Sequence, residues 1–97
     1  SSPSILRAWN EVPVQWQEDD GRAASGVIDR LIDDGARLWI VDYKTAPRPD
    51  AAALDAAHRP QLALYADAIA RVFPGRAIRA GLVTTVNAQW LPLIERA

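Results

Sequence analysis

The residues with the clearest chemical potential are two aspartates, Asp29 and Asp42, and the chain's single lysine, Lys44. Carboxylates are the side chains that hold hard divalent cations, and an ammonium can position or deprotonate a water molecule. Two acids and one amine on a common face therefore suit a site in which a bound cation activates water against a phosphodiester. Such a site requires that the backbone bring the three side chains together.

The segment that carries these residues is predicted to be a β-hairpin. The runs Ala23–Ile32 and Arg37–Tyr43 are rich in β-forming residues, and Asp34-Gly35 lies between them. An Asp-Gly pair between two such runs is a strong signal for a hairpin turn.

In the register that this turn predicts, Asp29 lies opposite Ile40. Because side chains alternate along a strand, Ile40, Asp42 and Lys44 share the face of Asp29. Asp42 is then the diagonal neighbour of Asp29, roughly 7–8 Å away between backbones. Two carboxylates can converge on one cation from that distance, whereas a slip of one residue would put Asp29 on the other face unless a bulge restored it.

The chain before the hairpin is predicted to form a helix and an edge strand. Ser1–Asn10 is expected to be a short helix, with Pro3 in its first turn and apolar residues at helical spacing. Glu11–Gln17 alternates between apolar and polar residues, which predicts a strand, and Pro13 favours a place at the edge of the sheet.

The chain after the hairpin is predicted to form a loop, a helix and two strands. Thr45–Ala57 is expected to be a loop with room for a short Ala-rich helical turn. The 3.6-residue period predicts a helix over Arg59–Phe73 that begins near Pro60. Strands are predicted at Ile78–Val86 and Gln89–Ile94.

These elements predict an α/β fold in the order α-β-β-β-α-β-β. We expect a central mixed sheet of about five strands flanked by helices, because a helical crossover returns the chain to a parallel strand. A length of 97 residues allows one domain, residues 1–97. The absence of a starting methionine leads us to expect that this domain belongs to a longer polypeptide.

Composition excludes several classes of function. There is no cysteine, which excludes zinc-thiolate sites, iron–sulfur clusters and cysteine nucleophiles. The formal net charge of −1 excludes a freestanding, strongly basic nucleic-acid binder. No apolar run approaches the ~20 residues that span a bilayer and no signal peptide is present, so we expect a cytoplasmic protein without a membrane partner.

Three motifs, in this order and spacing, resemble a known family. They are G-x-x-D-R at Gly26–Arg30, D-Y-K-T at Asp42–Thr45 and Q-L-x-L-Y at Gln61–Tyr65. Together they resemble the C-terminal nuclease domain of RecB/AddA-type helicase–nucleases, which belongs to the PD-(D/E)XK phosphodiesterases. The resemblance implies a restriction-endonuclease-like core.

The resemblance also implies roles for individual residues. Asp29 and Asp42 match the metal-binding carboxylates, the Tyr43 backbone carbonyl matches a further metal ligand, and Lys44 matches the catalytic lysine. The implied cofactor is Mg²⁺, with Mn²⁺ as a substitute. Glu11 matches an acidic residue on the upstream strand of the family's site.

The helix motif matches the family at two residues, whereas two other features of the chain differ from the family pattern. Gln61 and Tyr65 match a polar pair that braces the site and contacts DNA, and their i, i+4 spacing puts them on one helical face. His58 stands where the family more often has tyrosine, and it is expected to be a helix-start or surface residue. No histidine precedes the hairpin, although many members take a further metal ligand from one.

The function that the resemblance implies is Mg²⁺-dependent exonucleolytic hydrolysis of DNA within a bacterial double-strand-break repair helicase–nuclease. ATP would bind only to the motor portion of such a machine, because no G-x-x-x-x-G-K-[ST] loop occurs here. The expected partners are DNA and a second, AddB-like subunit. Two alternatives stay open: a nuclease-like module that no longer cuts and instead binds DNA or docks a subunit, and a stand-alone RecB-like or CRISPR-associated exonuclease.

Overall fold

A five-stranded mixed sheet packs against one long helix in the computed structural model, which describes residues 7–45 and 50–97. The elements in chain order are β1 (Arg7–Gln17), β2 (Ala23–Asp33), β3 (Arg37–Lys44), α1 (Ala51–Val72), β4 (Ala77–Thr84) and β5 (Gln89–Arg96). The strands lie side by side in chain order, with only β3 and β4 parallel. The predicted α/β class and five-stranded mixed sheet are confirmed.

The helix α1 is the crossover between the two parallel strands. Because β3 and β4 run in the same direction, α1 must return the chain to the opposite end of the sheet. Its first turns therefore lie at the end where β3 finishes, where Ala51 and Leu54 line a small cavity with Thr84. Thr84 is the register partner of Lys44.

The helix starts earlier than the sequence predicted. It begins at Ala51, so the expected loop over Thr45–Ala57 is wrong for its second half. Asp50 caps the helix by accepting hydrogen bonds from the backbone amides of Ala52 and Ala53, which stabilises this first turn. Pro60 lies inside the helix at an exposed position rather than in the first turn.

The first predicted element is also different. Arg7–Asn10 belongs to β1 rather than to a helix, and the rest of that prediction, residues 1–6, lies outside the described residues. Trp9 pairs with Leu31 of β2 and packs against the core. Pairing with β2 overrides the helical spacing of the apolar residues.

The core lies between one face of the sheet and α1. Small helix residues, Ala66 and Ala68, let the helix approach the strands closely. The largest fully buried apolar side chains are Ile28, Leu38, Ile40, Leu62, Ile78 and Leu82. Burial of each contributes roughly 1.5–3 kcal/mol relative to exposure, so this layer fixes the ends of β2 and β3 that carry the acids.

The opposite face of the sheet has a second, smaller cluster. The rings of Trp39 and Trp90 meet edge to face, with centroids 5.8 Å apart. The guanidinium carbon of Arg79 lies 5.3 Å from the Trp39 ring centroid, and Arg79 also pairs with Glu95. Arginine stems therefore cover the indoles on this side.

The predicted hairpin forms, but its register differs from the prediction by two residues. Asp33 pairs with Leu38 rather than Ala36, because a loop centred on Gly35 separates the strands. Asp33 and Asp34 brace that loop by accepting hydrogen bonds from its backbone amides. A shift of two residues does not by itself move a side chain to the other face, since the strand repeat is two.

Candidate active site

Asp29 lies at an interruption of strand pairing. Asn10 pairs with Arg30 and Val12 pairs with Ile28, and the two residues between these pairs, Glu11 and Asp29, form no pair. Glu11 has a φ of 54°, an unusual conformation for a residue with a side chain. Because of this interruption, Asp29 has no pairing partner on β1.

The interruption also breaks the alternation of side chains along β2. Ile28 and Leu31 are both buried in the same core although they are three residues apart. Strict alternation would put them on opposite faces. Asp29 lies within this break, and its Oδ2 accepts a hydrogen bond of 2.9 Å from the backbone N–H of Tyr43 on β3.

The two acids are closer than the sequence predicted. Continuing the observed register from Arg30–Val41 places Asp29 directly across from Asp42, rather than diagonal to it. The two carboxyl groups lie within hydrogen-bonding reach of each other. The Lys44 Nζ atom lies 3.2 Å from Oδ2 of Asp42, so the ammonium lies at the same cluster.

The electrostatics of the pair are those of two acids that share one proton. Burial, followed by the hydrogen bond with Asp29, raises the pKa of Asp42 from its ordinary value of 3.8 to about 6, and the Lys44 charge only partly opposes this. The hydrogen bond with Asp42 lowers the pKa of Asp29, as do the Tyr43 amide and the Lys44 charge, against a smaller effect of burial. Asp42 is therefore the member that takes up a proton first as the pH falls.

The Tyr43 carbonyl is oriented toward this pair by strand geometry. In an extended strand the N–H and C=O groups of one residue point to the same side. The Tyr43 N–H points toward β2, where it meets Asp29. Its carbonyl oxygen therefore also faces the β2 side, while the side chain is 45% exposed.

Tyr65 reaches the site from the helix. Its ring packs so closely on Gly26 that a Cβ atom there would lie 2.6 Å from the hydroxyl. Burial raises the pKa of this hydroxyl, a backbone hydrogen bond with Val27 opposes the rise, and the charges of Asp42 and Asp29 add to it. The tyrosine is thus fixed near the acids.

Trp16 of β1 supports Tyr65 from the other side. The two rings meet edge to face, with centroids 5.9 Å apart. Trp16 was not among the predicted site residues. Its position on the apolar face of the predicted strand was the feature of the sequence that could have indicated this contact.

Two of the predicted site residues, Glu11 and Gln61, are exposed to solvent. Glu11 is exposed, and among the described residues no hydrogen bond joins it to either aspartate. Gln61 is also exposed on α1. The structure brings together Asp29, Asp42, Tyr43, Lys44 and Tyr65.

Two features are absent from residues 7–45 and 50–97. No group of three or more histidine, cysteine, aspartate or glutamate side chains is placed to hold a metal ion there. Over the same ranges, no helix has both the length and the hydropathy for crossing a bilayer.

Comparison with known families identifies the arrangement. The family model of the PD-(D/E)XK nuclease superfamily matches residues 4–89, which include both aspartates, the lysine and the helix that covers them. The chain belongs to the PD-(D/E)XK nuclease superfamily. The sheet and helix agree with the restriction-endonuclease-like fold of that superfamily, whose members generally use divalent metals. A comparison with curated proteins gave no match.

Proposed function

We propose that this PD-(D/E)XK domain hydrolyses DNA phosphodiester bonds with the aid of Mg²⁺. One observation carries the proposal: Asp29, Asp42 and Lys44 converge at a single point on the face of the sheet that α1 covers. Membership of a nuclease superfamily supports the reaction class.

The donor set fits a hard divalent cation. Two carboxylates held this close repel one another unless a proton or a cation lies between them, and burial, followed by the neighbouring Asp29 carboxyl, raises the pKa of Asp42. Mg²⁺ is typically held by one or two carboxylates, with water and phosphate oxygens completing its shell. Asp29, Asp42 and the Tyr43 carbonyl would hold it, and the ion would supply Lewis-acid polarisation of the phosphate and a more acidic bound water.

Lys44 is the residue placed to act on the attacking water. Its side chain is 31% exposed, so the ammonium reaches solvent while it remains 3.2 Å from Asp42. At this position it orients a water toward the phosphorus and offsets the negative charge that develops on the phosphate oxygens. Tyr65 holds the helix against the strand that carries Asp29.

We further propose that the domain is the exonuclease module of a bacterial helicase–nuclease of RecB/AddA type. The support is the combination of G-x-x-D-R, D-Y-K-T and Q-L-x-L-Y, in this order and spacing. In such a machine the motor portion binds ATP, and an AddB-like subunit is the partner. Helicase motifs in the polypeptide upstream of residue 1 would support this assignment, and their absence would favour a stand-alone exonuclease.

The test of the nuclease proposal is the Asp42→Asn variant, which preserves the shape of the side chain. We expect Mg²⁺-dependent cleavage of labelled DNA to fall about 100-fold or more, because charge stabilisation by a bound metal ion is worth several kcal/mol. Asp55→Asn is the matched control, since Asp55 is a half-buried acid paired with Arg59 on the helix. Cleavage by Asp42→Asn at the rate of the unmodified chain would contradict the site.

A second function is favoured by one observation. No third carboxylate or histidine joins the aspartate pair within the described residues. This favours a domain that binds DNA or docks a subunit without cutting. Titration of the chain with Mg²⁺ and Mn²⁺ by calorimetry separates the two: binding that Asp29→Asn abolishes supports the nuclease, and no binding at millimolar metal supports the non-cutting module.

A further inference from the structure

The single histidine of the chain lies on the face of α1 that packs on the sheet. His58 is separated by four and seven residues from Leu62 and Tyr65, which are 1% and 5% exposed. Residues at this spacing share one side of a helix. The imidazole is accordingly half-buried, not a surface group at a helix start.

The direction of α1 puts this histidine at the end of the sheet that carries the site. Leu54, one turn before His58, contacts the same small cavity as Thr84, the register partner of Lys44. Tyr65, two turns after His58, lies against Gly26 beside the acids. His58 is located between these two points, above the end of β3.

The pKa of His58 agrees with a position near Lys44. Burial lowers the pKa of His58 below its ordinary value of 6.5, and the positive charge of Lys44 lowers it further. The ring is thus within electrostatic reach of the ammonium and is uncharged at neutral pH. A neutral imidazole has one acceptor nitrogen, which is what a neighbouring ammonium requires.

Neither group has its bonding capacity filled by the described residues. No hydrogen bond joins the His58 ring to another residue in 7–45 or 50–97, and Lys44 Nζ, with three donors, has one carboxylate partner. A carboxylate that is shared with a cation offers less negative charge to the lysine. A second group that holds the ammonium is then needed to keep it over the reacting water.

We propose that His58 is a positioning residue for Lys44. Its ring nitrogen accepts a hydrogen bond from one water that the ammonium donates to, and this bridge fixes the ammonium above the Asp29–Asp42 pair. The catalytic consequence of this contact rests on the proposed function, whereas the contact itself does not.

The first test is the kinetics of cleavage by two variants. His58→Leu removes the acceptor and is expected to lower kcat about tenfold or more while KM changes less than twofold, since supporting contacts of this kind are worth 10–100-fold in activity. His58→Gln keeps an acceptor and is expected to recover most of the loss. Arg71→Leu, on the exposed side of the same helix, is the control and should leave both constants unchanged.

The second test needs no cleavage. In the metal-free chain, Lys44→Met is expected to shift the ¹⁵N resonances of the His58 ring, and Arg71→Met is not. An unmoved ring in Lys44→Met overturns the proposal, and so does an unchanged kcat in a folded His58→Leu protein. If the unmodified chain does not cleave DNA, the proposed function fails and the resonance test alone decides the contact. If His58→Leu does not fold, the cleavage kinetics of His58→Gln and the ring resonances of Lys44→Met decide whether the proposal holds.

Discussion

At the scale of single residues, the site is defined by the unequal environments of two chemically identical side chains. Asp42 is the more buried acid, while Asp29 accepts a backbone hydrogen bond from Tyr43 that favours its charged form. The environments push the two pKa values apart, so at about pH 6 Asp42 takes up a proton while Asp29 stays ionised. A pair prepared in this way exchanges its proton for a cation readily.

The raised pKa of Asp42 predicts a stability change in Asp42→Asn. Folding raises this pKa from 3.8 to about 6, so the protonated acid is favoured in the folded state. Its contribution to the free energy of unfolding is therefore complete below pH 3.8 and is lost as the pH rises through about 6. Asparagine does not titrate and avoids this loss.

We expect Asp42→Asn to become more stable than the unmodified chain, by about 1–2 kcal/mol after allowance for solvent screening. The difference should grow between about pH 4 and pH 6 and stay level above that. Urea unfolding at several pH values, without divalent metal, measures it. A difference that does not vary with pH would show that Asp42 titrates normally in the folded protein. Asp55→Asn is a control of opposite sign: the Arg59 guanidinium lowers the pKa of Asp55, so this variant should lose stability relative to the unmodified chain as the pH rises through the acid range.

At the scale of elements, the close contact between α1 and β2 holds the helix over the acids. Gly26 is needed there because the Tyr65 ring occupies the place of any side chain: a Cβ would lie 2.6 Å from its hydroxyl and 2.8 Å from a ring carbon. The rigid ring cannot move without shifting the helix or losing its packing against Trp16. The glycine of G-x-x-D-R thus sets the distance between helix and strand.

This contact predicts the effect of Gly26→Ala. We expect the variant to lower the free energy of unfolding by about 1–3 kcal/mol, as overpacking of a core contact typically does. The same substitution should cost less in a Tyr65→Leu background, because the atoms that clash are then removed. A double-mutant cycle by chemical denaturation measures the coupling. Equal costs in the two backgrounds would show that the tyrosine does not impose the glycine.

At the scale of the whole molecule, both edges of the sheet carry the same protective feature. The outer strands are β1 and β5, and each contains a proline, Pro13 and Pro92. Proline removes a backbone donor from an edge strand and so hinders pairing with another molecule. The unpaired Glu11 on β1 and the register shift between Ala80 and Gly81 on β4, facing β5, add irregularity at the two edges.

These edges predict the behaviour of a Pro13→Val/Pro92→Val double variant. We expect it to self-associate at concentrations where the unmodified chain does not, because both edges regain a donor and a β-forming side chain. Sedimentation velocity over a range of concentrations measures this. Pro60→Val is the matched control, since it adds the same side chain at an exposed position of the helix. Equal association of control and double variant would attribute the effect to hydrophobicity alone.

The sequence alone determined the chemistry and the faces. An Asp-Gly turn and the two-residue repeat of strands predicted that Asp29, Asp42 and Lys44 lie together, and the structure places the three side chains in one cluster. The motifs also identified the family, which the match over residues 4–89 confirms at the level of the superfamily. Local turn preferences and alternation encode these features directly.

Only the tertiary structure decided the distances between the site residues and which of these residues contact one another. The observed register of β2 against β3 moves the second acid from a diagonal to a facing position. The interruption at Glu11 and Asp29 depends on how β1 pairs with β2. The place of His58 near Lys44 was hidden because the helix was predicted to start late, although its spacing from Leu62 and Tyr65 contained the information. Contacts between distant segments set these features, since burial and long-range pairing outweigh local preference wherever the two disagree.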